Sequence, residues 1–318
     1  MLVSILIPCH NTEPWIQRAI GSALAQTWTD KEIIVLDDGS TDQSLSIIQR
    51  YTPQIQIAIQ PNRGQNAARN HLTEIARGEW LVYLDADDEL APDSIEKKMA
   101  CRDGVDAVYG SKEVVTFRGG ERVESTKVIA QEHADPFVAA FQWKYPNTSS
   151  FLFRKQAVLT AGGWDEKVQN CTDYSLYFRM LVSGFIFGAA PGAWSLYRQW
   201  SETQAVNIAP LRKMMTRLRV MQEAAKVLEN GGQLFSARRQ AFLDASFGVI
   251  RTIYPHDSEL ARAEHARLLE WDRRFFPSTS VFPSNYVRTY QLFGFAAAER
   301  IAAWKRNLFP AKHAAQPF

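Results

Sequence analysis

The feature that most constrains this chain is the alternation, over its first hundred residues, of short apolar runs with helical patterns. Residues 3–7, 32–36, 55–59 and 80–84 are rich in Val, Ile and Leu. Between the first two, Trp15, Ile16, Ala19, Ile20, Ala23 and Leu24 trace one apolar stripe of a helix. Strands that alternate with helices return to the same edge by crossover, so the pattern predicts a mostly parallel sheet covered by helices. Each run ends in Pro, Asp, Asn or Gly, and ligands of open α/β sheets sit at those carboxyl ends. Pro14 suits the first turn of the first helix, Thr41 is placed to cap a second, and a third covers 66–76 before Gly78 stops it.

From about residue 106 the texture becomes mixed, with β-rich stretches at 107–109, 113–117 and 149–153 around a Gly119-Gly120 turn and a helix at 173–182. After about residue 205 it is almost wholly helical, with segments at 211–229, 236–253, 258–273 and 287–305 separated by Gly231-Gly232, Pro255, Pro277 and Pro283. The expected organisation is therefore an α/β domain at 1–204 and a helical region at 205–318. With 46% apolar residues the chain has ample material for a core. Its 36 Lys and Arg against 34 Asp and Glu supply no broad electropositive face for nucleic acid. Cys9, Cys101 and Cys171 lack CxxC spacing, which argues against a disulfide framework or a zinc site and fits a reducing compartment. Residues 3–7 read as a first strand and not a signal peptide, and no apolar run reaches the ~18 residues that span a bilayer. The expectation is a cytoplasmic protein, soluble or attached peripherally to the inner face of a membrane.

Three polar clusters fall at strand ends: Pro8-Cys9-His10-Asn11, Asp37-Asp38-Gly39-Ser40 and Asp85-Ala86-Asp87-Asp88. Carboxylates gathered at one rim repel one another unless a cation or ligand offsets them, so a metal or ligand is implied. Asp85 and Asp87 stand two apart at the end of a strand and project the same way, an oxygen set suited to Mg²⁺ or Mn²⁺ completed by pyrophosphate and water. The alternative is that Asp87 or Asp88 caps a helix near Pro92. Asp37-Asp38-Gly39-Ser40 is equally an ordinary turn or a carboxylate pair for a nucleobase or ribose hydroxyl. Asn62-Arg63-Gly64 leads to a helix start that could meet an anionic or heterocyclic ligand, or be a solvated turn. The P-loop and GxGxxG modes are absent.

In this order the clusters resemble the family 2 glycosyltransferases, inverting enzymes of GT-A fold that use nucleotide-diphospho-sugars. The similarity runs through Glu32-Ile33-Ile34-Val35-Leu36-Asp37-Asp38-Gly39-Ser40, Ala68-Arg69-Asn70 and Leu84-Asp85-Ala86-Asp87-Asp88. It continues more weakly through Gly162-Gly163-Trp164-Asp165-Glu166, Asp173 and Tyr197-Arg198. The resemblance implies a Rossmann-like mixed sheet flanked by helices, a GT-A fold, with a C-terminal helical extension. It implies that Pro8, His10, Asn11, Asp37, Asp38 and Arg69 form the donor nucleotide pocket, that Asp85 and Ala86 border the ribose, and that Asp87, with Asp85 as a second candidate, holds Mn²⁺ or Mg²⁺. Asp173 is implied as the general base. Three positions depart from the family pattern: His10 stands where Tyr is common, Thr172 replaces an acidic neighbour of the base, and Gln199-Trp200 follows Tyr197-Arg198 where many members carry a metal-ligating His.

The partners implied are a nucleotide-diphospho-sugar, UDP-linked by preference, and a carbohydrate or lipid-linked acceptor. Acceptor residues are expected between 105 and 154, including Trp143, Tyr145 and Asn147. Near 290–309, Tyr290, Phe293, Phe295, Ile301, Trp304, Leu308 and Phe309 mix with Arg288, Arg300, Lys305 and Arg306. That pattern suits packing on the catalytic domain or a second copy, and also an anionic membrane surface. Rival functions are a non-catalytic sugar-nucleotide-binding protein and a nucleotidyltransferase.

Overall fold

A computed structural model describes residues 1–118, 121–199 and 210–308. The expected Gly119-Gly120 turn, the 204/205 boundary, Trp200 and Phe309 lie outside the described residues. The chain divides into two compact units, one of residues 1–136 and 145–208, the other of residues 137–144 and 209–318.

The first unit begins β1 (Val3–Cys9), α1 (Ile16–Leu24), β2 (Lys31–Asp38), α2 (Ser44–Gln49), β3 (Gln56–Gln60), α3 (Gln65–Ile75) and β4 (Trp80–Tyr83). β3, β2, β1 and β4 lie side by side and parallel. The stripe of α1 buries Ile16, Ala19, Ile20 and Ala23 against Val3, Ile5 and Ile7, alternate residues of β1. α2 starts at Ser44, later than a cap at Thr41 requires, because the Asp42 carboxylate accepts the Ser44 N–H at 2.9 Å. Gly78 has a steric reason to be glycine: a Cβ there would stand 2.5 Å from Ser4 Oγ, and α3 has already ended at Ile75.

The unit continues with β5 (Glu89–Leu90), α4 (Ser94–Ala100), β6 (Ala107–Arg118), β7 (Glu121–Val128), then, after α5 (Pro136–Phe141), β8 (Phe151–Arg154), α6 (Lys155–Thr160), α7 (Thr172–Val182) and β9 (Phe187–Gln199). Among the described residues the sheet runs β3-β2-β1-β4-β8-β6-β9-β5, with β7 paired to β6. β8 is antiparallel to both neighbours, and β9 runs parallel to β6, so the sheet is mixed.

The second unit contains α8 (Pro210–Asn230), α9 (Ser236–Ile253), α10 (Ser258–Trp271) and α11 (Ser284–Leu308). Most of α5 belongs to it, with Phe141 against Phe242 at 5.5 Å and the Arg217 guanidinium 4.0 Å from the Trp143 ring. Phe247 on α9 is ringed by Phe275, Phe282, Tyr290 and Phe295. α11 breaks at Gly294, whose φ of +76° only glycine adopts without strain. No helix of the described residues is long and apolar enough to cross a membrane.

Candidate active site

Parallel register sets Cys9 opposite Asp37, so the loops that follow β1 and β2 meet at one rim. Asn11, at φ +51°, joins them: its N–H donates to Ser40 Oγ at 3.0 Å and its Oδ1 accepts the Thr41 N–H at 2.8 Å. His10 Nδ1 lies 2.9 Å from the Asp38 carbonyl, which can only accept, so Nδ1 carries the proton. Nε2 is left to accept from Asn62 Nδ2 at 3.0 Å. The exposed imidazole is thus fixed in tautomer by backbone and loop. Pro8 is buried beneath this rim.

The two neighbouring carboxylates of β2 have separate tasks. Asp38 is saturated: Oδ1 accepts from Gln60 Nε2 and the Arg63 N–H at 2.7 and 2.9 Å, and Oδ2 accepts the Gly64 N–H at 2.9 Å. It anchors the Asn62-Arg63-Gly64 loop. Asp37 spends Oδ2 on the Ser40 N–H at 3.1 Å, while its buried Oδ1 has no donor among the described residues. A buried carboxylate oxygen without a donor is costly and points to a ligand N–H or O–H. Gly39 lets the loops close, since a Cβ there would stand 2.7 Å from the Asn62 nitrogen.

Arg69, projected from α3 and 2% exposed, is the hub of the site. Nη2 donates to Asp85 Oδ1 at 2.6 Å, Nη1 donates to Thr172 Oγ1 at 3.1 Å, and the guanidinium lies 4.4 Å from the Trp164 ring. Thr172 therefore serves as acceptor for Arg69 at the head of α7, which accounts for a neutral residue beside Asp173. The Gly163-Trp164-Asp165-Glu166 segment docks on α3 through Asn70, whose amide donates to the Trp164 carbonyl at 2.9 Å.

Asp85, Ala86, Asp87 and Asp88 follow β4. Asp88 is fully committed: Oδ2 accepts from Asn147 Nδ2 and Ser149 Oγ at 3.0 and 2.7 Å, and Oδ1 accepts the Arg198 N–H at 3.1 Å. Burial, then the Asp87 and Asp85 charges, push its carboxyl well above the usual carboxylate range. Arg198, stacked 4.3 Å over Trp15, donates to the Asp87 carbonyl and to Glu89. Like charges packed this closely fit a divalent cation. With Asp85 held by Arg69 and Asp88 by its neighbours, the set fits an ion that takes most of its oxygens from a ligand and water. Among the described residues no group of three His, Cys, Asp or Glu is placed to hold an ion alone.

Asp173 lies in the first turn of α7, its Oδ1 accepting the Tyr174 N–H at 2.9 Å. Burial raises its pKa against the opposing pull of that N–H, Arg69 and Lys112, with Asp85 adding to the rise. Pro8, His10, Asn11, Asp37, Asp38, Arg69, Asp85, Ala86, Asp87 and Asp173 all belong to the first unit. Of the expected acceptor residues, Asn147 joins the site through Asp88 and Tyr145 is buried among aromatic rings, while Trp143 belongs to the second unit. Ser149 and Lys112 carry no signal in the sequence. Their contacts reach across tens of residues and leave no local spacing to read.

The model of glycosyl transferase family 2 matches residues 4–162, half of the chain. Chondroitin synthase of Escherichia coli is 30% identical over 198 residues, covering 58% of this chain and 27% of that protein. Hyaluronan synthase of Pasteurella multocida is 30% identical over 197 residues, covering 58% and 19%. The chain thus spans about a quarter or less of the length of these curated relatives. Among solved structures, S. aureus TarS 1–349 with UDP-GlcNAc superposes with a TM-score of 0.67 at 17% identity, covering 96% of this chain and 92% of that one. The mannosyltransferase PcManGT of Pyrobaculum calidifontis with GDP-Man and Mn²⁺ gives 0.50 at 17% identity, covering 98% and 88%. These likenesses establish a GT-A fold, and with the match across β1 to α6 the chain belongs to glycosyl transferase family 2.

Proposed function

We propose that this chain is an inverting glycosyltransferase that moves a sugar from a nucleotide-diphospho-sugar to an acceptor hydroxyl in the synthesis of a surface polysaccharide or glycolipid. The observation that carries the reading is the double grip of Arg69, which ties Asp85 at the donor end to Thr172 beside Asp173 at the acceptor end. One buried side chain thereby fixes the distance over which transfer occurs, the positional control that displacement chemistry needs. A fold neighbour bound to UDP-GlcNAc supports a UDP-sugar as donor.

Asp37 Oδ1 accepts from the nucleoside, and the imidazole of His10 packs beside it with Nε2 turned to the loop. Asp85, held by Arg69, and Ala86 border the ribose. Asp173 takes the proton from the acceptor hydroxyl as that oxygen attacks the anomeric carbon opposite the departing diphosphate, so configuration inverts. Its raised pKa makes it a stronger base than an exposed carboxylate. Asp87, with Asp85 as second ligand, would hold Mn²⁺ or Mg²⁺, which supplies charge neutralisation at the leaving diphosphate.

The division into a catalytic domain and a helical region forms part of the proposal. On α11, Phe293 and Trp304 are 66% and 62% exposed among Arg288, Arg300 and Lys305, which supports peripheral contact with an anionic membrane, or a second copy, on the cytoplasmic side. Tyr290 and Phe295 instead face the core of their unit.

A thermal-shift panel of UDP-, GDP- and dTDP-sugars, with and without Mn²⁺ or Mg²⁺, tests the reading, since a bound donor stabilises by ~RT ln(1 + [L]/Kd). One donor class should stabilise the chain, more so with metal and less after Asp87→Ala. No stabilisation by any donor would sink the proposal.

A further inference from the structure

The face that β6 and β9 turn toward the carboxylates carries a cation with no assigned task. In β6, Lys112 and Val114 share one face while Ser111 and Glu113 take the other. Parallel register sets Ser195 beside Lys112 and Tyr197 beside Val114. The contacts agree: Lys112 Nζ lies 5.6 Å from the Tyr197 ring centroid, and Ser195 Oγ meets Ser150 Oγ at 2.6 Å. Arg198, one residue on from Tyr197, points to the opposite face and stacks on Trp15. Lys112 is partly buried, with Asp173 and Asp88 both within electrostatic reach.

The cations of this region differ in what they have left to give. Arg69 is committed to Asp85 and Thr172, and Arg198 to Glu89 and the Asp87 carbonyl. Lys112 Nζ, with three protons to donate, makes no hydrogen bond to a protein group among the described residues and rests only on the Tyr197 ring. Such an ammonium, partly withdrawn from water and within electrostatic reach of Asp173, is arranged for an anion from outside.

We propose that Lys112 is the anion-binding residue of the acceptor subsite, so that the acceptor carries a carboxylate or phosphate near the hydroxyl that Asp173 deprotonates. The proposal rests on the glycosyltransferase reading and narrows its acceptor class. The sheet order favours acceptor over donor: β6 is separated by β8 and β4 from β1, which His10 follows, and from β2, which carries Asp37. Asp173, by contrast, acts electrostatically on Lys112. Burial pulls the ammonium pKa down while Asp173 and Asp88 hold it up, and an arriving anion adds to that support.

Wild-type chain, Lys112→Gln and Lys112→Arg are titrated first with UDP and with GDP, each plus Mn²⁺. They are then titrated with methyl β-glucuronide and glycerol 3-phosphate beside the neutral methyl β-glucoside and glycerol. The wild type should prefer one anionic probe to its neutral counterpart, and which one identifies carboxylate or phosphate. Lys112→Gln should lose that preference by about tenfold or more, the weight of one charged hydrogen bond, and Lys112→Arg should restore most of it. Nucleoside diphosphate affinity, which also reports that each variant is folded, should stay within about twofold. Equal loss of nucleoside diphosphate affinity in Lys112→Gln would place Lys112 on the donor and overturn the proposal. So would a wild type indifferent to probe charge. A wild type that binds no nucleoside diphosphate would remove the glycosyltransferase reading and this extension with it.

Discussion

Replacing Arg69 by Met removes the hub of the site while keeping much of its volume. Three contacts are lost together: the 2.6 Å ion pair to Asp85, the 3.1 Å hydrogen bond to Thr172 and the 4.4 Å stack on Trp164. Breaking a buried ion pair by removing one partner costs ~3–5 kcal/mol. Arg69 is 2% exposed but Asp85 is 21% exposed, so water reaches the orphaned carboxylate and the lower end applies, ~3 kcal/mol. For a unit of this size that is roughly 6–12 °C in melting temperature. The assay is thermal unfolding followed by near-ultraviolet circular dichroism, in a cycle with Asp85→Asn. The pair should show a coupling of ~1–3 kcal/mol, and Arg69→Met should also weaken donor binding. A cost below ~1 kcal/mol with additive single mutants would refute the claim that Arg69 joins the two ends of the site.

Three further outcomes follow from Asp173 and Lys98. Asp173→Asn should cut transfer by ~10²-fold or more while leaving nucleoside diphosphate affinity unchanged, as loss of a general base requires. Because burial raises the Asp173 pKa and only the carboxylate accepts a proton, the wild-type rate should fall as pH drops through a point above the ordinary value of ~3.9. Lys98 on α4 is 0% exposed, its Nζ has no hydrogen-bond partner among the described residues, and burial lowers its pKa to about 7. Between that value and the unfolded value of 10.5 the unfolded chain holds the proton and the folded chain does not, so this group makes the protein more stable as pH rises. Lys98→Met should therefore raise the melting temperature, with a margin that widens as pH falls from ~10 toward ~7 and is level below. A margin independent of pH across that range would contradict it.

The parts of the fold legible in the sequence are those whose burial is local and periodic. β1, β2 and β4 are buried on both faces and read as continuous apolar runs, while α1 and α9 carry apolar stripes. β9 was not legible, since Gly188, Pro191 and Gly192 interrupt it and read as turns. β7 is exposed along its whole length and has no apolar face to betray it. The 107–109 and 113–117 stretches proved to be one strand, β6, because Gly110 is held in the ladder where its missing Cβ admits the Ala193 carbonyl.

At the site, sequence order located the carboxylates but not their tasks. Asp37 and Asp38 are neighbours of identical chemistry, and only the folded loop separates them, closing three donors on Asp38 and leaving one oxygen of Asp37 open. Ser149 and Asn147 reach Asp88 across about sixty residues, and no spacing in a single chain encodes that pairing.

The central claim, inverting transfer from a nucleotide-diphospho-sugar, is tested most directly by the anomeric configuration of the product. The full chain is incubated with the donor and metal that stabilise it and with an acceptor it binds, and the new linkage is read by proton NMR alongside the released nucleotide. The account predicts nucleoside diphosphate in equal amount to product and a β-glycoside from an α-linked donor, formed at least ~10²-fold more slowly by Asp173→Asn. An α-glycoside, or release of pyrophosphate in place of nucleoside diphosphate, would contradict it.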